Sequence, residues 1–314
     1  MTALENGRPG AREDEQVRWH LHNLDTGTIV GLARWGVLHL PRPLSALASH
    51  TGTWLAFHLA KQATAALIAN QRIVAPGLSE RDRRALALRT YRTYAREMSD
   101  YFRSLSMDRG QLSSLLEPLI TIDPLKAEGK GVLLVTGHIG NLELGAVLLQ
   151  ALYNYRLTVV VLPEMDPAVN ALRRRMRASL GIESLEVREA VDTALRIRSR
   201  LAENRVVVLV CDRALGRDQI DVEFFGRRTH FLRTPALLSC LTGAPMVPSF
   251  ILRQPDGRYV GSSTEPIRVP RTGDRDANVR AAMQAFASLL EAKVAEYPHL
   301  WYQFYSYWGD TGGS

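Results

Sequence analysis

An α/β fold, with a mainly parallel mixed sheet flanked by helices, follows from two features of the sequence. Between Gly131 and Asp212 four short β-branched runs alternate with three segments of helical periodicity. From about 28 to 116, by contrast, apolar residues recur at three and four with no strand-like run, which predicts a helical amino-terminal subdomain. Alternation of this kind needs right-handed crossovers and buries the strands on both faces.

The elements follow in order. Residues 1–16 are polar and read as a disordered tail, with one domain over 17–309: helices to about 116, then an α/β part over about 129–309. The helical half is punctuated at Pro41 and Pro43, at Pro76-Gly77 and at Met107 to Gly110, and Ser79 with Asp82 forms a capping-box-like start for a long helix toward Phe102. Strands are predicted at 131–137, 156–164, 182–187 and 205–212, with helices near 141–153, 166–179 and 189–203 between them. Further strands at 221–225, 245–252 and 257–262, a helix near 235–242, a helix over 277–297 and the aromatic run WYQFYSYW, read as a final strand, close the layer.

Composition narrows the function classes. At 46% hydrophobic and 23% charged residues the chain is globular, neither fibrous nor disordered. Cys211 and Cys240 lie in no CxxC or Cys/His pattern, so no metal is expected, and His20 and His22 are assigned none. Residues 1–16 lack the basic start and apolar core of a signal peptide, and the charge-free stretches 43–60 and 234–252 are too polar or too broken by proline to span a membrane. A net charge of +7 carried almost wholly by arginine suits phosphate or carboxylate partners without choosing among them. The run Arg173, Arg174, Arg175 and Arg177 reads as a solvated helix face, with an acyl carrier protein or anionic lipid as the alternative partner.

Ligands of open α/β sheets lie beyond the carboxyl ends of the strands, and three polar groups follow predicted strands there: His138, Glu164 and Asp212. His138 stands in TGHIGNLELG, and Glu143 is the one charged residue of an apolar helix that should be buried. Burying a lone carboxylate is costly unless it is paired. The functional reading is a His138–Glu143 dyad in which the carboxylate orients the imidazole; the alternative is a helix-capping glutamate beside an ordinary loop histidine. No GxSxG, Walker A or GxGxxG sequence is present, so His138 is better suited to activating a substrate hydroxyl than to serving a protein nucleophile.

GHIGNLE at 137–143, VLPE at 161–164, CDRAL at 211–215, DVEFFGRRT at 221–229 and PALLSCLTGAPMVPSF at 235–250 together resemble the bacterial lipid A and phosphatidylinositol mannoside acyltransferases, a branch of the lysophospholipid acyltransferase superfamily. The likeness extends over roughly residues 60–305. It implies that His138 is a general base with Glu143 as its partner, and that Asn141, Glu164, Asp212 and Arg213 bind substrate. Leu142 stands where the family usually has Trp, and Pro163-Glu164 where lipid A members have Tyr-Arg, which turns the resemblance toward the mannoside branch. The implied activity is transfer of a fatty acyl group from acyl-CoA or an acyl carrier protein to a hydroxyl of a lipid or glycolipid, without a cofactor. Peripheral contact with the cytoplasmic face of the membrane goes with it, and no nucleic-acid partner. A soluble metabolite acceptor, and a hydrolase using the same dyad, are the alternatives.

Overall fold

The computed structural model describes residues 26–117, 122–214, 216 and 218–309. The expected tail at 1–16, both amino-terminal histidines and the last five residues lie outside this range. The helical half comprises α1 (Gly27–His39), α2 (Arg42–Leu59), α3 (Lys61–Val74), α4 (Glu80–Ser104) and α5 (Arg109–Leu115). The chain breaks as expected at Pro41, at Pro76-Gly77 and before Arg109, whereas Pro43 lies inside the first turn of α2 and a further break falls at Ala60, which no proline or glycine marks. Ser79 caps α4, its hydroxyl accepting from the Asp82 N–H at 3.2 Å.

After a short helix α6 (Asp123–Ala127) comes the alternating part: β1 (Val132–Thr136), α7 (Leu142–Tyr153), β2 (Leu157–Val161), α8 (Pro167–Ser179), β3 (Glu183–Glu186), α9 (Ala190–Ala202) and β4 (Val206–Val210). The hairpin β5 (Ile220–Phe224) and β6 (Arg227–Phe231), α10 (Thr234–Thr242), β7 (Met246–Arg253), β8 (Tyr259–Ser263) and α11 (Arg275–Glu296) complete the order. The main sheet runs β3-β2-β4-β1-β7-β8. All its neighbours are parallel except β7 and β8, so it is mixed and mainly parallel, as expected. Central β1 is buried at every position: Leu133 and Val135 pack with Ile197 of α9 and Leu290 of α11, while Val132 and Leu134 pack with Ala146 of α7. That two-sided burial is why the strand reads as a continuous apolar run.

Two expectations change. The sequence predicts one strand at 221–225, but Phe225 and Gly226 turn the chain at positive φ and RRTHF returns as β6, a polar strand without a hydrophobic alternation to reveal it. The terminal aromatic run is not a strand. It makes one bridge, Trp301 to Ile139, and threads irregularly through the protein between the helical half and the sheet.

An irregular buried segment must find partners for its backbone, and Asn70 of α3 supplies them. Its amide donates to the carbonyls of Gln303 and Tyr305 at 3.0 and 2.8 Å, and its oxygen accepts from the Tyr307 N–H at 3.0 Å. Asn70→Ala strands these three groups, and at ~1–3 kcal/mol for each buried unsatisfied group it should lower the unfolding free energy by roughly 3 kcal/mol or more in urea denaturation.

Candidate active site

β1, β2 and β4 end side by side, and a cavity of about 420 Å³ opens beyond their carboxyl ends. Thr136, Val161 and Val210, the last residues of those strands, line it. Tyr91, Tyr94 and Met98 of α4 form part of the opposite wall, so it lies between the helical half and the sheet. His138, Glu143, Glu164, Arg173, Arg177 and Arg213 supply charged or polar lining, while aliphatic and aromatic side chains make up most of the rest.

His138 leaves β1 in a turn that only close backbone packing permits. Gly140 has φ +68°, and a Cβ there would stand 2.1 Å from the Ile251 carbonyl oxygen. The Tyr302 N–H donates to the His138 carbonyl at 2.8 Å, fixing the loop from the other side. The His138 Nδ1 lies 2.6 Å from Asp212 Oδ1, and the His138 backbone N–H donates to the same carboxylate at 3.0 and 3.1 Å. Asp212 also accepts from Trp301 Nε1 at 3.2 Å and Gln303 Nε2 at 2.8 Å. Burial opposes its ionisation, but His138 and then Arg213 outweigh this and hold the carboxyl below its ordinary value. A carboxylate can only accept, so Nδ1 carries the proton, and in the neutral imidazole Nε2 then carries the lone pair.

The His138–Glu143 dyad expected from spacing is therefore corrected: each residue has a different partner. Glu143 sits in the first turn of α7 and forms a two-pronged ion pair with Arg177 of α8, the Arg177 Nε donating to Oε2 at 3.0 Å and the second nitrogen to Oε1. Burial pushes the Glu143 carboxyl up, and Arg177 with Arg173 more than offsets it. The buried glutamate does need a partner, as its apolar helix predicts; the helix axis simply carries it toward α8. Asp212, expected against substrate, is fully buried and orients His138 instead. Asn141, also expected to bind substrate, is committed within the protein: its oxygen caps α7 by accepting from the Leu144 N–H at 3.1 Å, and its amide donates to the Glu97 carbonyl and the Tyr259 hydroxyl. Glu164 reaches the cavity and pairs with Arg173 at 2.9 Å. Arg213 also lines it, with Nε donating to Gln303 Oε1 and one terminal nitrogen to the Tyr302 carbonyl, both at 2.9 Å.

Of the four arginines expected on a solvated face, Arg174 and Arg175 are exposed, whereas Arg173 is half-buried and Arg177 buried. The overlooked signal is the period, because 173 and 177 fall with Val169 and Met176 on the inward face of α8. Glu97 was missed for a similar reason, lying between Tyr94 and Tyr101 on the buried face of α4. The Tyr302 hydroxyl donates to its Oε2 at 2.7 Å, and Oε1 has no partner among the described residues. Burial pushes this carboxyl up to about 8, against the opposing pull of Tyr302 and Arg253. Among the described residues no cluster of three or more His, Cys, Asp or Glu side chains is placed to hold a metal, and no helix is long and apolar enough to cross a membrane.

The bacterial lipid A biosynthesis acyltransferase family profile matches residues 15–309. Two proteins named phosphatidylinositol mannoside acyltransferase are similar: one from Mycolicibacterium smegmatis, 32% identical over 69% of this chain and 70% of its own length, and one from Mycobacterium tuberculosis, 30% identical over 69% and 68%.

Glu97 yields a pH prediction. Between its ordinary value of 4.5 and about 8 the folded protein keeps a proton that the unfolded chain has lost, so this group makes stability fall as pH rises through that window. Glu97→Gln should lack this component, so the gap in thermal midpoint between variant and wild type should move in the variant's favour from pH 5 to pH 8; a gap independent of pH would refute the assignment.

Proposed function

The chain belongs to the bacterial lipid A biosynthesis acyltransferase family, and we propose that it transfers a fatty acyl group from a thioester donor to a hydroxyl of a glycolipid of the phosphatidylinositol mannoside type, with His138 as general base. The observation that carries this reading is the His138–Asp212 hydrogen bond at the wall of a largely apolar cavity.

In the proposed step His138 Nε2 takes the proton of the acceptor hydroxyl as its oxygen attacks the thioester carbonyl. Asp212 stabilises the imidazolium that forms, being already ionised and already hydrogen-bonded to Nδ1. The negative charge that develops on the carbonyl oxygen falls to the Arg213 guanidinium or to a backbone N–H of the turn after β1. When the tetrahedral intermediate collapses, the carbon–sulfur bond breaks and the proton passes from His138 to the departing thiolate, so no covalent acyl-enzyme is needed. The acyl chain occupies the aliphatic part of the cavity, where each buried methylene contributes about 0.8 kcal/mol. The Glu143–Arg177 and Glu164–Arg173 pairs serve as the polar wall for the acceptor. Acyl-CoA and an acyl carrier protein are both suitable donors. Peripheral membrane contact belongs to this reading, at the cytoplasmic face, and the exposed Leu32, Trp35, Leu47 and Trp54 of α1 and α2 support the contact itself.

Thiol release from palmitoyl-CoA, with and without mycobacterial-type glycolipids, tests it. Wild type should show acceptor-stimulated release with formation of an acylated glycolipid. His138→Ala and Asp212→Asn should each lower kcat by ~10²-fold or more, because the latter loses the tautomer and the charge that steady the imidazolium. Glu143→Gln should act chiefly on KM and stability by leaving Arg177 buried and unpaired. Equal turnover by wild type and His138→Ala would sink the reading.

A further inference from the structure

α4 separates two hollows. The catalytic cavity lies on the side of Tyr91, Tyr94 and Met98, whereas Arg92, Arg96 and Arg103 face a second cleft of about 400 Å³ shared with α2. The two have no lining residue in common. Arg42, His50 and Arg253 complete the basic lining of the cleft, and Asp100 is its single acid. Asp100 is matched to Arg253 at 3.1 Å, which leaves the other four guanidinium groups without a carboxylate partner among the described residues. Arg92 donates toward His50 and Arg103 toward the Ser45 hydroxyl, while the Arg92 Nε is buried and unpartnered. Four like charges around one hollow repel one another unless an anion sits between them.

The surroundings of the cleft indicate which anion. From Thr26 to Ser79 the chain contains no Asp or Glu. Leu47 and Trp54 lie three residues before and four after His50, beside it on one side of α2, and are 62% and 48% exposed. A basic hollow whose rim carries exposed leucine and tryptophan matches a phosphate plane bordered by acyl chains. A soluble thioester donor has no use for that apolar rim, and its reacting end belongs in the cavity on the other side of α4.

We infer that the cleft between α2 and α4 binds the phosphate of an anionic phospholipid headgroup when these helices rest on the membrane surface. This deepens the membrane-surface reading given above and rests on it, but not on the identity of the acceptor. The occupant is a structural lipid held outside the catalytic cavity, and it would orient the cavity toward a membrane-borne substrate.

Sedimentation with vesicles of phosphatidylcholine, alone or containing one third phosphatidylglycerol, tests the inference on the full chain. Wild type should bind the anionic vesicles, and Arg96→Glu should weaken that binding by at least about tenfold. The milder pair Arg92→Gln/Arg96→Gln should weaken it less while keeping the wild-type thermal midpoint, which separates loss of the site from loss of the fold. Arg174→Glu/Arg175→Glu, the same kind of change on the exposed face of α8, should bind as wild type. Thiol release with detergent-dispersed acceptor should be unaffected by Arg96→Glu, so failure of the catalytic reading would be seen separately. Equal binding to both vesicle types, or an α8 variant as weak as Arg96→Glu, would overturn the inference. So would intact vesicle binding by Arg96→Glu with a raised KM for palmitoyl-CoA, since the cleft would then serve the donor's phosphates.

Discussion

Asp212 carries a negative charge at a position closed to water, and such a charge is stable only when donors surround it. Those donors come from two remote parts of the chain, the turn after β1 through His138 and the carboxy-terminal segment through Trp301 and Gln303, while the carboxylate itself is fixed just beyond the end of β4. Its own backbone carbonyl accepts from the Tyr307 hydroxyl at 2.7 Å. Gln303 ties the arrangement further, because its amide donates to Asp212 while its oxygen accepts from Arg213. Satisfying one anion thus dictates where the terminal segment runs and how the imidazole faces the cavity. Asn70 extends the same requirement into the helical half by closing the backbone groups that this irregular path exposes.

The cavity wall obeys the same electrostatic rule with a different outcome. Glu143 and Arg177 are both largely buried, and neither is tolerable without the other. Their pairing joins the first turn of α7 to the inward face of α8 and so defines one side of the hollow. Among the described residues Glu97 has no cation in direct contact and Tyr302 as its single side-chain hydrogen-bond donor, and there burial prevails and favours the neutral acid. Three carboxyl groups around one site therefore differ in charge because their partners differ, a separation that burial alone would not produce.

α4 connects this chemistry to the surface. Its 25 residues present aromatic side chains to the cavity and arginines to the cleft beside α2. Helix α1 buries none of its residues and keeps Leu32 and Trp35 exposed, an arrangement that is costly in water and favourable against lipid. A site for acyl transfer to a lipid benefits from such a helical half, since the substrate's apolar part need never cross open water.

Local sequence determined most of the helices and strands, the helix breaks at Pro41, Pro76-Gly77 and before Arg109, and that a histidine with nearby acids would gather at the carboxyl ends of the strands. Proline and glycine punctuation, apolar periodicity and the continuous burial of β1 are properties of neighbouring residues, so they can be read one after another. The polar return strand β6 escaped because RRTHF has no apolar alternation, and the terminal aromatic run misled because aromatic residues suit a strand and a buried irregular segment equally. The partners of the charged groups were decided only by tertiary structure. A spacing of five suggested His138 with Glu143, yet Asp212 lies 74 residues from His138 and Arg177 lies 34 from Glu143. Burial requires that each charge be paired, which the sequence makes plain, but the choice of partner belongs to whichever elements the sheet order brings into contact.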